Sequence, residues 1–277
     1  MKNCCLAGET SPSEWSDIQF PEAEVLILDF YSMNYTLPQF IEKMVKLEIL
    51  IIVNRGNKQA KLTGLLQLSN LTKFKKIRLE KIAVPSLNSI TVPLKSLEKI
   101  SLIMCGVSEA FTNCNVKIPN AFSDLRELDM GYCHDLVNLP PGIGHSVHLQ
   151  KLSITNCQNL SALPGETGRL KDLEMLRLHA CSRLRELPGS IRELQKLKFL
   201  DLSCCLRGLM KLDLRRCSHK MKLPESVKKL VQLEKMICDD ETSTIWEHLK
   251  LRHLPQLNID VRSEQNNSLA WLGLGLN

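Results

Sequence analysis

The sequence predicts an α/β solenoid, a horseshoe with a concave parallel β-sheet and a mostly irregular or short-helical convex side. Three observations carry this. First, a 24-residue echo runs through the chain: LRELDMGYCHDLVNLPPGIGHSVH from Leu125, LQKLSITNCQNLSALPGETGRLKD from Leu149 and LEMLRLHACSRLRELPGSIRELQK from Leu173. Second, each unit opens with a short stretch in which apolar residues alternate with others, the period of a strand with one buried face. Third, a Leu-Pro pair follows in each unit, and proline stops a strand by fixing φ and removing a donor.

Each unit reads L-x-x-L-x-L-x-x-C-x-x-L-x-x-L-P, which is a leucine-rich repeat. One coil cannot bury its apolar ladder alone, whereas stacked coils bury it and leave a long regular surface. The elements then follow in order. Residues 1–22 are polar and irregular and read as a linker or boundary segment. Repeats fill 23–238. Units open at Ala23 (with Leu26, Leu28), Leu47 (Leu50, Ile52), Phe74 (Ile77, Leu79) and Leu97 (Ile100, Leu102), with an insertion at Gly106–Ala121 on the loop side. The three regular units come next. Strand motifs then begin at Leu197 and again at Leu209, only 12 residues apart. Half a repeat is missing near 205–209, and a chain that short cannot lay a strand and also cross back. Local distortion is expected between Leu202 and Leu214. Residues 239–277 are read as the C-terminal cap, with a short helix near Ser243–His253.

Composition narrows the function classes. The net charge of +6 is mild and spread along the chain. No run of about 18 apolar residues exists, so no stable membrane insertion is expected. No secretory h-region is visible at the N-terminus. The expected compartment is the cytoplasm or the nucleus, where thiols stay reduced. The eleven cysteines are therefore not read as a disulfide framework. Cys105, Cys133, Cys157, Cys181, Cys205 and Cys217 share one repeat position. A small buried thiol there can serve loop backbone of its own or the next coil. No C-x-x-C pair supplies zinc spacing, so no metal or cofactor is expected. No nucleophile elbow, zinc-protease helix or phosphate loop occurs, and the chain is read as a non-enzyme. Basic clusters at Lys73–Lys81, Arg215–Arg216 and Lys228–Lys229 are interleaved with Glu80, Asp213 and Glu225. That pattern suits a solvated face and no nucleic acid.

The candidate site is the concave face. Outward strand positions give Val25, Ile27 and Phe30, then Ile49, Ile51 and Val53. The middle units give Lys76, Arg78, Lys99, Ser101, Glu127 and Asp129. The later ones give Lys151, Ser153, Met175, Arg177, Phe199, Asp201, Lys211 and Asp213, with His179 outward as a contact residue. The N-terminal end is thus apolar where water is expected, which marks an interface.

The repeat form, with its cysteine and Leu-Pro, resembles the cytoplasmic repeats of plant nucleotide-binding immune receptors (NLRs). Two stretches resemble the helper subgroup called activated disease resistance proteins: FPEAEVLILDFYSMNYTLPQFIEKMVKLEILIIVN at Phe20–Asn54 and ICDDETSTIWEHLKLRHLPQLNIDV at Ile237–Val261. The family's coiled-coil and nucleotide-binding domains, its phosphate loop and its M-H-D motif are absent from this sequence. The resemblance implies a protein–protein recognition module acting in plant defense signalling. It also implies two partners, an NLR nucleotide-binding domain and heterodimers of lipase-like immunity proteins. The rival readings are a free-standing intracellular scaffold or adaptor and a non-functional truncated receptor fragment.

Overall fold

The computed structural model describes residues 3–7, 20–85, 94–111, 122–201, 211–213, 235–238, 243–244, 246–248, 250 and 255–261. Nine parallel strands form the main sheet: β1 (Asn3–Ala7), β2 (Val25–Phe30), β4 (Ile49–Asn54), β6 (Lys76–Glu80), β8 (Lys99–Ile103), β9 (Glu127–Gly131), β10 (Lys151–Thr155), β11 (Met175–His179) and β12 (Phe199–Asp201). One strand comes from each coil, and each pairs with the strands of the coils before and after it. The register is strict. Leu128, Leu152, Leu176 and Leu200 stand in one inward row, and Met130, Ile154 and Leu178 in the next. All but Leu128 and Met130 in these rows are fully buried, and those two are nearly so. A one-residue slip would turn every one of these side chains to solvent, so the ladder itself specifies the register.

The first strand lies where the sequence was read as a boundary segment. β1 pairs with β2 from Asn3↔Val25 to Ala7↔Asp29, and Cys4 is buried against the core. The sheet therefore begins one strand before Ala23. At the other end the nine-stranded sheet stops at β12, and β13 (Lys211–Asp213), β14 (Lys235–Cys238) and β15 (Asn258–Val261) make a separate parallel sheet. The two strand motifs that are only 12 residues apart in sequence fall on either side of this break. The missing half-repeat near 205–209 lies outside the described residues. β15 carries the parallel pairing to Val261, and Trp246 in the helical stretch before it is buried.

The return path differs between the two halves. In the early coils it forms a second sheet of β3 (Asn34–Thr36), β5 (Ala60–Thr63) and β7 (Ile82–Ala83). Tyr35, Leu62 and Ile82 point inward from it, with Phe30 stacked on Tyr35 at 3.8 Å. In the regular units each Leu-Pro leads into one 3₁₀ turn: Pro141–His145, Gly165–Arg169 and Gly189–Glu193. The preceding Pro140, Pro164 and Pro188 hold φ between −67° and −61° with extended ψ, which stops the strand and starts the turn. These turns stack closely. A Cβ added to Gly144 would meet the backbone of Glu166, and one added to Gly168 would meet Ser190.

A third device closes five of the coils, those of β6 and β8 to β11, at the C-terminal rim of the sheet. Lys81, Met104, Tyr132, Asn156 and Ala180 all take a left-handed backbone, φ 54–56°. Each turns the chain out of its strand. Four of them donate their N–H to the next coil, as Met104 does to the Gly131 carbonyl at 2.8 Å and Tyr132 to that of Thr155 at 2.9 Å. The cysteine ladder sits immediately after. The sulfurs of Cys105, Cys133, Cys157 and Cys181 are buried, each within donating distance of its own strand's last carbonyl and of one in the preceding coil. The own-coil partner is the one expected from the sequence; the second partner lies in the coil before rather than the one after, because the chain has already turned inward when it reaches the thiol. Burial pushes the Cys105 thiol up to about 11, and contact with Cys157 followed by burial pushes Cys133 up as well. Cys205 and Cys217 lie outside the described residues.

Candidate protein-binding surface

Three rows of side chains cross the concave face, each fixed by the strand register. The first runs Val25, Ile49, Lys76, Lys99, Glu127, Lys151, Met175, Phe199. The second runs Ile27, Ile51, Arg78, Ser101, Asp129, Ser153, Arg177, Asp201. The third runs Asp29, Val53, Glu80, Ile103, Gly131, Thr155, His179. Most outward positions expected from the sequence fall on these rows. Four need correction. Phe30 is 4% exposed and faces the core on Tyr35, because two residues after Leu28 the alternation returns inward. Asp29 holds the outward place instead. Val25 is in register but only 8% exposed, since β1 makes it part of an inner strand rather than of the sheet's edge. Lys211 and Asp213 lie in β13, in register with Lys235 and Ile237, outside this sheet.

Sequence reading missed the third row, apart from Val53 and His179. Asp29, Glu80, Ile103 and Thr155 extend the alternation by one more step, and that period-two signal was available. It also missed Cys5, which is exposed and continues the second row beyond Ile27.

Charge and hydrophobicity divide the face. Ile27, Ile49, Ile51 and Val53 are half-buried neighbours on β2 and β4. Covering what remains exposed is worth about 1 kcal/mol per side chain. From β8 onward the charges neutralise one another across coils. Lys99 reaches Glu127 at 2.8 Å and Asp129 at 3.1 Å, and Lys151 reaches Glu127 at 2.6 Å. Burial acts to raise the Glu127 carboxyl, but hydrogen bonds from Lys151 and Lys99 hold it below its ordinary range. The hydrogen bond to Glu127 likewise raises Lys99. Arg177 pairs with Asp201 at 3.3 Å and lies 5.6 Å over the Phe199 ring. Exposed pairs of this kind contribute at most about 1 kcal/mol each. Their main effect is to leave few unmet charges, so a partner gains most at the apolar end.

No helix among the described residues is long and apolar enough to cross a membrane. The family model of a leucine-rich repeat region matches residues 106–270. The chain is 45% identical over 275 residues to disease resistance protein ADR1 of Arabidopsis thaliana, which covers 96% of this chain and 35% of that protein. It is 40% identical over 136 residues to the probable disease resistance protein At4g33300 of the same plant, covering 49% of this chain and 17% of the relative. The chain thus spans about a third or less of the length of these relatives. Among solved structures, the leucine-rich repeat domain of the type III effector XopL aligns over 87% of this chain and 77% of its own, with a TM-score of 0.56 and 21% identity. It shares the fold. The stacked parallel strands, the buried leucine and cysteine ladders and the family match lead to one assignment: the chain belongs to the leucine-rich repeat family, in the branch found in plant disease resistance proteins.

Proposed function

We propose that this chain is the protein-recognition module of a plant intracellular immune receptor, acting in defense signalling from the cytoplasm or nucleus and catalysing no reaction. The observation that carries the reading is the apolar block of Ile27, Ile49, Ile51 and Val53 at one end of a concave face whose charges pair across coils from β8 onward. A half-exposed aliphatic cluster rimmed by charge is a common form of a protein interface. The names of the relatives support the immune context.

The finer proposal assigns the apolar block to an NLR nucleotide-binding domain. It assigns the charged rows around Glu127, Asp129, Lys151 and Arg177 to a lipase-like immunity heterodimer. The test is co-purification of this chain with the nucleotide-binding domain of ADR1, wild type against an Ile27→Asp, Ile51→Asp double variant. Loss of the complex with an unchanged circular dichroism spectrum supports the assignment. A complex that survives both aspartates removes it and favours a free-standing scaffold.

A further inference from the structure

The C-terminal rim of the sheet is a surface separate from the concave face. Four large apolar side chains stand exposed there: Tyr31 and Met33 after β2, Met104 after β8 and Tyr132 after β9. Hydrogen bonds tie their segments into one strip. The Lys61 N–H donates to the Met33 carbonyl at 2.8 Å. The Asn54 amide donates to the carbonyls of both Lys58 and Lys81, at 2.8 and 3.3 Å. The Lys81 N–H reaches Ile103, beside Met104, and the Met104 N–H reaches Gly131, beside Tyr132. The Gln59 amide closes the strip by donating to the Met104 carbonyl at 2.8 Å.

Arg55 on this rim pairs with Asp29 at 2.9 Å, but three lysines of the strip differ from those on the opposite rim. There, lysines meet a carboxylate of the neighbouring coil: Lys46 meets Glu22, Lys75 meets Glu48, Lys196 meets Asp172 and Lys198 meets Glu174. Lys58 and Lys61 are exposed and Lys81 half-buried, and none of the three forms an ion pair with a carboxylate among the described residues. The backbone adds a second asymmetry. Met104 and Tyr132 occupy the left-handed position at which Asn156 and Ala180 stand in the following coils. Glycine and asparagine fit that backbone best, so large side chains there hold their place against local preference.

We infer that this rim is a second protein-docking surface, and that its occupant is an acidic segment carrying aromatic or aliphatic anchors. Lysines with no carboxylate partner among the described residues select carboxylates; the Lys81 Nζ donates only to the Gly56 carbonyl, at 3.5 Å. Methionine and tyrosine select apolar side chains and are enriched at interface centres. A continuous polyanion fits less well, because Asp29 and Glu80, already held by Arg55 and Arg78, and the exposed Glu109 flank the same strip. Spaced carboxylates on a short segment avoid these groups, whereas a phosphate backbone or an anionic bilayer meets all of them.

The test is to pan a random dodecapeptide phage library against the full chain, then titrate the enriched peptide by fluorescence anisotropy. The expected winners are rich in Asp or Glu with Phe, Trp or Leu. The Lys58→Glu, Lys61→Glu, Lys81→Glu variant weakens binding at least about tenfold, and the Ile27→Asp, Ile51→Asp variant leaves it within about twofold. The second result separates this surface from the concave reading. Binding also falls between about 50 and about 300 mM salt. Three results overturn the inference: winners without acidic bias, affinity that survives the triple charge reversal, or tighter binding of phosphatidylserine vesicles or a single-stranded oligonucleotide through the same lysines. The three lysines are at the surface, and a circular dichroism melt equal to wild type establishes that any loss is one of contact.

Discussion

Replacing Gly144 by alanine tests whether the close stacking of the 3₁₀ turns sets the coil spacing. The added Cβ would lie 2.6 Å from the Glu166 Cβ and 3.0 Å from its carbonyl carbon, whereas ordinary contact begins at 3.4 Å. Most of the obstruction is backbone or Cβ, so no side-chain rotation relieves it. The turns must part by roughly 1 Å where neighbouring strands sit about 4.8 Å apart. Yet the β9–β10 junction is held by bonds such as Lys151 N–H to the Arg126 carbonyl at 2.9 Å. Overpacking of this kind costs about 1–3 kcal/mol. Alanine also restricts the unfolded chain, which returns about 0.4–1 kcal/mol. The net expectation is a loss of about 1–2 kcal/mol. Gly165 is the control, since nothing lies within 4 Å of its added Cβ. Gly165→Ala should be neutral or stabilising by about 0.5 kcal/mol. Urea unfolding followed by far-UV circular dichroism reads both. Equal stability of the two alanine variants would refute the steric argument, because only Gly144 touches the next coil. Gly168→Ala against Ser190 should repeat the Gly144 result.

Other consequences follow from the same geometry. Ala180→Gly relieves a left-handed backbone at φ 55° and should stabilise by up to about 1 kcal/mol, while Asn156→Ala should cost stability; melting curves that rank them the other way contradict the rim assignment. Iodoacetamide at pH 8 should alkylate Cys5 and spare Cys105, Cys133, Cys157 and Cys181 until denaturant is added, as peptide mass spectrometry can show. The Cys105 thiol titrates near 11 when folded against 9.0 ordinarily, so its contribution is full below pH 9 and disappears as pH rises through 11; a flat stability profile across that window argues against a buried thiol. Glu127→Gln should lower stability by about 0.5 kcal/mol at neutral pH. The folded carboxyl is held below its ordinary 4.5, so that difference is present above pH 4.5 and vanishes as pH falls through the folded value. A wild-type and Gln pair that still differ at pH 2 would discount the Lys99–Glu127–Lys151 network.

Much of the fold is written in local periodicity. Leu152, Ile154 and Cys157 announce an inward strand and a buried thiol, and a sequence repeating them at Leu176, Leu178 and Cys181 places the strands side by side. The same alternation placed Ile27, Ile51, Arg78 and Arg177 on the concave face. It failed where a coil departs from the repeat. Phe30 continues the period and turns inward, and reading it as outward displaced Asp29 from the surface. β1 was missed because NCCLA offers two inward residues without the flanking leucines. The second sheet of β3, β5 and β7 was missed because its strands are two to four residues long, below the length at which alternation is recognisable.

The sequence by itself determined the repeat, the parallel ladder, the core and the apolar bias of Ile27, Ile49, Ile51 and Val53. Each depends on residues close in sequence and on a period that each coil carries alone. Only the tertiary structure decided which charges are met and which are not. Lys99 finds Glu127 and Asp129 while Lys58, Lys61 and Lys81 find no carboxylate among the described residues. Those distances run between coils more than twenty residues apart in the chain, and the stacking of one coil on the next sets them. The same holds for the hydrogen bonds that line up the segments of Met33, Met104 and Tyr132 on one rim, and for the closeness of Gly144 to Glu166. Each is a contact from one coil to another along the solenoid axis, a direction along which a single coil carries no information.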